Sequence, residues 1–150
     1  MEGIHLKLKT LFVVFFISAF LACLSSPASA GFSLGYAQDV IHAPGTKAAI
    51  ARYDHDATRL GGQAMYWDGP DNDNMAFGLD YDLIPSDTID LNLGGVYLTN
   101  VNGINGTNLN FSIGLGINLG KYVKVQFSHF SNARARNNNG WNFVGLLYRF

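Results

Sequence analysis

From Asn108 to Leu119 the chain reads NLNFSIGLGINL, and every second residue is apolar. Leu109, Phe111, Ile113, Leu115, Ile117 and Leu119 share one parity; Asn108, Asn110, Ser112, Gly114, Gly116 and Asn118 share the other. A period of two sends alternate side chains to opposite faces, so this segment is a β-strand with one oily face and one small, polar face. The pattern recurs along the chain. Phe77, Leu79, Tyr81 and Leu83 oppose Gly78, Asp80 and Asp82, and Ile89, Leu91, Leu93 and Tyr97 oppose Asp90, Asn92 and Gly94. Val123, Val125 and Phe127 oppose Lys124 and Gln126, while Val144, Leu146, Tyr148 and Phe150 line one side of the last segment. Turn-rich stretches separate these runs: Ala43-Pro44-Gly45, Asp68 to Asn74, Pro85-Ser86-Asp87, Asn102 to Thr107 and Asn137 to Gly140. Strands are expected at about 31–42, 46–56, 60–68, 74–84, 87–98, 107–119, 121–133 and 140–150.

The first thirty residues read as an address. Lys7 and Lys9 precede an apolar run from Leu11 to Leu24, too short for a bilayer-spanning helix, which needs about 20 residues. Ser25-Ser26-Pro27-Ala28-Ser29-Ala30 then ends in small residues spaced as A-x-A. This is the pattern of a secretory signal peptide cleaved after Ala30. Without residues 1–30 the chain keeps 120 residues, 15 for each of eight strands, enough for roughly 10 crossing residues and a connection each.

Two closed architectures accept such strands. A soluble up-and-down barrel turns its apolar face inward; a membrane barrel turns it outward into lipid. Charged residues make up 14% of the chain, against about 25% in ordinary soluble domains, and there are 17 glycines. Small and polar residues suit the tight interior of a small membrane barrel, where Asp80, Asp82, Asp90 and Lys124 can pair. Tyr148-Arg149-Phe150 puts aromatics at the last and third-last positions, which resembles the C-terminal signature of bacterial outer-membrane proteins. The reading is therefore an all-β chain with an eight-stranded antiparallel outer-membrane β-barrel over 31–150, a soluble barrel or sandwich being the alternative. A net charge of −1 offers no basic footprint for nucleic acid. A single Cys excludes a disulfide framework and a cysteine zinc cage.

One pair departs from the pattern. His129 and Ser131 continue the apolar parity of Val123, Val125 and Phe127. Unpaired polar atoms in hydrocarbon are costly, so these side chains need the headgroup zone or a partner. Two residues apart on one strand, they are neighbours on one face, and a Ser beside a His is the minimum for an activated nucleophile. The plain alternative is a strand that simply leaves the membrane here. His42 reads as a loop residue, Asp54-His55-Asp56 as a solvated strand-end turn, and Asp71-Asn72-Asp73-Asn74 as a polar hairpin loop without the Gly and Glu of a calcium loop.

The wider motif is more specific. His129-Phe130-Ser131-Asn132-Ala133 resembles the H-x-S-N-A signature of the lipid A 3-O-deacylase family (PagL-like, related to acyloxyacyl hydrolases), and the tail from Gly140 to Phe150 resembles that family's closing strand. The resemblance implies an outer-membrane barrel with its site on the lipid-facing wall, no cofactor and no metal. The substrate would be lipid A of lipopolysaccharide, from which the ester-linked 3-position acyl chain is hydrolysed. Ser131 would be the nucleophile and His129 its general base and then acid. Asn132 and the backbone N–H at Ala133 would form the oxyanion hole. Arg134 and Arg136, next along at the outer rim, would either bind lipid A phosphates or serve as ordinary rim charges. A homodimer stays open. At the position where the family pattern has a Glu this chain has Asn142, and no Asp or Glu occurs between Leu91 and Phe150. An Asn carbonyl can orient the His ring but brings no charge. Three outcomes stay open: a working Ser-His-Asn site, a slow one, or a structural or adhesion barrel that kept the fold without the chemistry.

Overall fold

The computed structural model describes residues 30–69, 73–84, 86–132 and 140–150. Residues 1–29, which hold nearly all of the expected signal peptide, lie outside the described residues. The alternating segments form eight strands: β1 (Ala30–Asp39), β2 (Lys47–His55), β3 (Leu60–Asp68), β4 (Asp73–Asp82), β5 (Ile89–Leu98), β6 (Leu109–Asn118), β7 (Val123–Ser131) and β8 (Trp141–Arg149). Each pairs antiparallel with the next, and β8 returns to β1, so the sheet closes into a barrel without an edge. Closure satisfies every strand's ladder within the sheet, the condition for backbone to cross hydrocarbon. Strands of nine or ten residues, rising about 3.3 Å per residue and tilted by about 40°, match a band near 25 Å tall.

The wall has the inverted polarity that decides between the two architectures. Along β6 exposed Leu109, Phe111, Ile113, Leu115 and Ile117 alternate with buried Asn110, Ser112 and Gly114. The oily parity faces out on β4, β5 and β8 too, with Leu79, Leu93 and Leu146 about half exposed or more. Only lipid makes such a wall stable, since water would meet a continuous apolar surface. Tyr53, Tyr81, Tyr122 and Tyr148 ring the end with the short turns 56–59, 83–88 and 119–122. Tyr66, Tyr97 and Phe111 lie toward the other end, which carries the short connection 69–72 and the longer ones 40–46, 99–108 and 132–140. Two aromatic girdles of this kind mark the interfaces of a bilayer. The soluble alternative is excluded by this orientation.

The interior is divided, which parity alone does not reveal. Toward the short turns it is ionic. Arg52 of β2 makes two hydrogen bonds to Asp80 of β4 (2.8 and 2.9 Å), meets Asp54 at 2.7 Å and donates to Asn92 Oδ1 at 3.2 Å. Lys124 meets Asp90 at 2.9 Å. Charges removed from water at both ends of a pair cost little only when paired and hydrogen-bonded like this. Asp82, expected in the same network, instead accepts the Ile84 N–H at the mouth (3.1 Å). Gly94 makes the arrangement possible: a Cβ there would lie 2.1 Å from the Leu79 carbonyl and 2.6 Å from Asp80 Cα. Toward the long connections the lumen is filled by Trp67, Trp141, Phe143 and Phe130, all 0% exposed, with Trp67 and Trp141 edge to face at 5.3 Å. This aromatic plug stiffens the strand ends that carry His129, Ser131 and Asn142.

Candidate active site

His129 and Ser131 end β7, and Asn142 opens β8 on the neighbouring strand. The register places His129 directly opposite Asn142 on one side and Ile113 of β6 on the other; Ser131 lies opposite Phe111. Their parity is that of Val125, Phe127 and Val144, so all three side chains belong to the outer wall, at the end with the long connections.

Asn142 fixes the state of the histidine. Its Nδ2 donates to the Gly140 carbonyl at 3.1 Å, which turns Oδ1 toward the imidazole. His129 Nδ1–H donates to that oxygen at 2.8 Å. A carbonyl oxygen accepts and cannot donate, so Nδ1 carries a proton, and in the neutral form of the ring the lone pair is on Nε2. This is the tautomer a general base needs, and the third group of a triad exists to hold it. The ring is half-buried and packs against Phe111 with centroids 6.0 Å apart.

Gly140 brings the serine into the same space. It adopts φ +67°, and the point where a Cβ would sit lies 2.8 Å from His129 Cε1 and 3.1 Å from Ser131 Cβ. The ring edge between the two nitrogens and the serine side chain therefore flank one spot beside a residue with no side chain. Ser131 itself is buried, 8% exposed. The Gly140 N–H donates to the Ile104 carbonyl at 3.0 Å, tying this spot to the 99–108 connection.

Asn132 is placed differently from its two neighbours. Its Nδ2 donates to the Asn105 carbonyl and to Oδ1 of buried Asn110 (3.3 Å), so the amide is committed to the 99–108 connection and the lumenal side. Ala133, Arg134 and Arg136, the remaining oxyanion and phosphate candidates, lie outside the described residues. Among the described residues no group of three or more His, Cys, Asp or Glu side chains is arranged to hold a metal ion.

Two features escaped the sequence. Arg52, centre of the lumenal ion network, sat at inward parity after Ala48 and Ile50, a visible but unread signal. Asp39 was not legible at all. It is fully buried, and its carboxylate accepts the backbone N–H of Asn142 at 3.3 Å across 103 residues of chain.

No protein-family model and no curated protein matches the chain. Among solved structures, a de novo designed transmembrane β-barrel is similar at 10% identity, covering 84% of this chain and 98% of its own, with a TM-score of 0.52. The Yersinia pestis outer membrane protein Ail, solved in a phospholipid bilayer nanodisc, aligns at 16% identity over 81% of this chain and 98% of its own, with a TM-score of 0.47. At 10% identity the designed barrel speaks to the fold and to no chemistry. Together with the outward-facing apolar wall, it makes the described chain a membrane-spanning, eight-stranded antiparallel β-barrel.

Proposed function

We propose that this barrel sits in the bacterial outer membrane and is an esterase acting on a lipid of the outer leaflet, with lipid A and its 3-position ester as the substrate. An even-stranded single-chain barrel with short turns at one end and longer connections at the other has the build of outer-membrane proteins, whose longer loops face the exterior. His129, Ser131 and Asn142 lie at the long-connection end on the outward parity of the wall, where half-buried His129 reaches the surface and Ser131 and Asn142 sit covered just beneath it. A hydrolase for soluble substrates would have no reason to place its nucleophile there.

The observation that carries the reading is the hydrogen bond from His129 Nδ1 to Asn142 Oδ1, made on the lipid-facing wall beside Ser131. In this mechanism His129 Nε2 takes the Ser131 hydroxyl proton as Oγ attacks the ester carbonyl carbon. The tetrahedral oxyanion collapses, the carbon–oxygen bond to the sugar breaks, and His129 returns the proton to the leaving alkoxide. Water then attacks the acyl-Ser131 ester by the same proton route and releases the fatty acid. The family resemblance gives the oxyanion role to Asn132 and to the N–H at Ala133, which lies outside the described residues. Asn132 joins it only once its amide leaves Asn105 and Asn110. The site is built within one chain, so it works with or without pairing into a homodimer.

A second reading has its own support. His129 and Asn142 satisfy each other, and a satisfied polar pair is stable on a barrel wall with no chemistry at all. Mass spectrometry of lipid A from cells expressing the chain separates the two. The esterase removes one hydroxyacyl chain, and Ser131→Ala abolishes the loss. An unchanged lipid A profile with the barrel folded in the membrane refutes the esterase and leaves the structural barrel.

A further inference from the structure

The sequence has no Asp or Glu after Asp90, so any carboxylate side chain that serves the His129 site must come from residues 1–90. Asp39 is that charge in space. It closes β1 at the long-connection end with 0% exposure. Oδ1 accepts the N–H groups of Ile41 (2.8 Å) and His42 (3.0 Å), with Ala43 N–H at 3.5 Å. Oδ2 accepts the Asn142 N–H at 3.3 Å, and the Asn142 carbonyl accepts the Val40 N–H at 2.9 Å. Asn142 is thus clamped through both backbone groups by Asp39 at the end of β1 and by Val40 just after it, while its side chain holds His129 and Gly140. Among the described residues, β6 offers the imidazole Phe111 and Ile113, neither of them charged.

We propose that Asp39 is the charged positioning residue of this site, acting through Asn142. It fixes the backbone from which the orienting amide projects, and it supplies the negative field that favours the imidazolium formed when Ser131 is deprotonated. The inference rests on the esterase reading. The charge stands two hydrogen bonds from the ring, Asp39 Oδ2 to Asn142 N–H at 3.3 Å and Asn142 Oδ1 to His129 Nδ1 at 2.8 Å, and at an effective dielectric constant of about 20 Coulomb's law makes such a charge worth on the order of tenfold in rate.

The test uses the full chain refolded in lipid vesicles and a long-chain alkyl fluorophosphonate. Ser131 Oγ attacks phosphorus, fluoride leaves, and the hydroxyl proton passes to His129. Intact-mass spectrometry follows the rate of modification at Ser131. Asp39→Asn and Asp39→Ser both keep an oxygen acceptor for the turn N–H groups while removing the charge. Both are expected to slow labelling on the order of tenfold while heat-modifiable gel migration reports a folded barrel. Asn142→Asp, added to Asp39→Asn, returns a carboxylate to the ring and is expected to restore the rate, with a larger gain than the same change gives in the wild type because both carboxylates serve one imidazolium; equal gains in the two backgrounds would make Asp39 merely structural. Equal labelling of wild type and Asp39→Asn overturns the proposal. Failure of Asn142→Asp to restore the rate also overturns it, as does loss of the barrel in both single variants, which would make Asp39 a pillar of the fold instead. Absence of Ser131 labelling in the wild type overturns the esterase reading, a result distinct from these.

Discussion

Gly140→Ala tests the packing of the candidate site without touching any reactive group. Two costs separate cleanly. The residue sits at φ +67°, a left-handed conformation that costs an L-residue about 1–2 kcal/mol. The added Cβ also lies 2.5 Å from the Phe130 carbonyl oxygen, which is backbone held in the β7–β8 ladder and cannot swing away. It lies 2.8 Å from His129 Cε1 as well, so the imidazole must leave its bond to Asn142. Overpacking of this kind costs about 1–3 kcal/mol. Gly140→Ala should therefore destabilise the barrel by about 2–5 kcal/mol in all. Gly120 provides the control: its φ is +83°, and a Cβ there meets nothing within 4 Å. Gly120→Ala should cost only the backbone component, about 1–2 kcal/mol. Urea unfolding in lipid vesicles, followed by tryptophan fluorescence, measures both. Fluorophosphonate labelling of Ser131 should collapse in Gly140→Ala and persist in Gly120→Ala. Equal destabilisation of the two variants, or undiminished labelling of Gly140→Ala, would refute the assignment of Gly140 to the space between ring and serine.

Asn142→Asp is expected to raise the Ser131 labelling rate at least tenfold, because a carboxylate steadies imidazolium where an amide only orients it. The same change sets two acceptors, the new carboxylate and the Gly140 carbonyl, against each other, at a cost of about 1–3 kcal/mol in urea unfolding. In the lumen, Arg52→Met strands buried Asp80 without its partner and should cost about 3–5 kcal/mol; adding Asp80→Asn should recover much of it, since Asp54 is 23% exposed and still reaches water. Single-channel recording should find no steady conductance, because Trp67, Trp141, Phe143 and Phe130 fill the long-connection end of the lumen. An ohmic current from the folded wild type would contradict that plug, and Trp141→Ala should lower stability by about 3–5 kcal/mol.

The strands were legible because a β-strand writes its two environments into alternate residues. The expectation of 60–68 for β3 coincides with the observed element despite Gly61-Gly62-Gln63, and the other bounds agree within three residues. The face carrying His129 and Ser131 followed from the same period, as did the neighbouring Asn142, because antiparallel pairing of adjacent strands is local. What parity could not say was how the interior is shared along the barrel axis. Phe130, Trp141 and Phe143 occupy the lumenal parity but are as oily as the outer wall, and only the register of all eight strands stacks them on Trp67 as one plug. The partners of the charges were hidden for the same reason. Arg52 finds Asp80 across β3, and Asp39 finds Asn142 only because closure makes the first strand the neighbour of the last. A one-dimensional pattern records which solvent each side chain meets; which distant side chain it meets is set by the closing of the sheet.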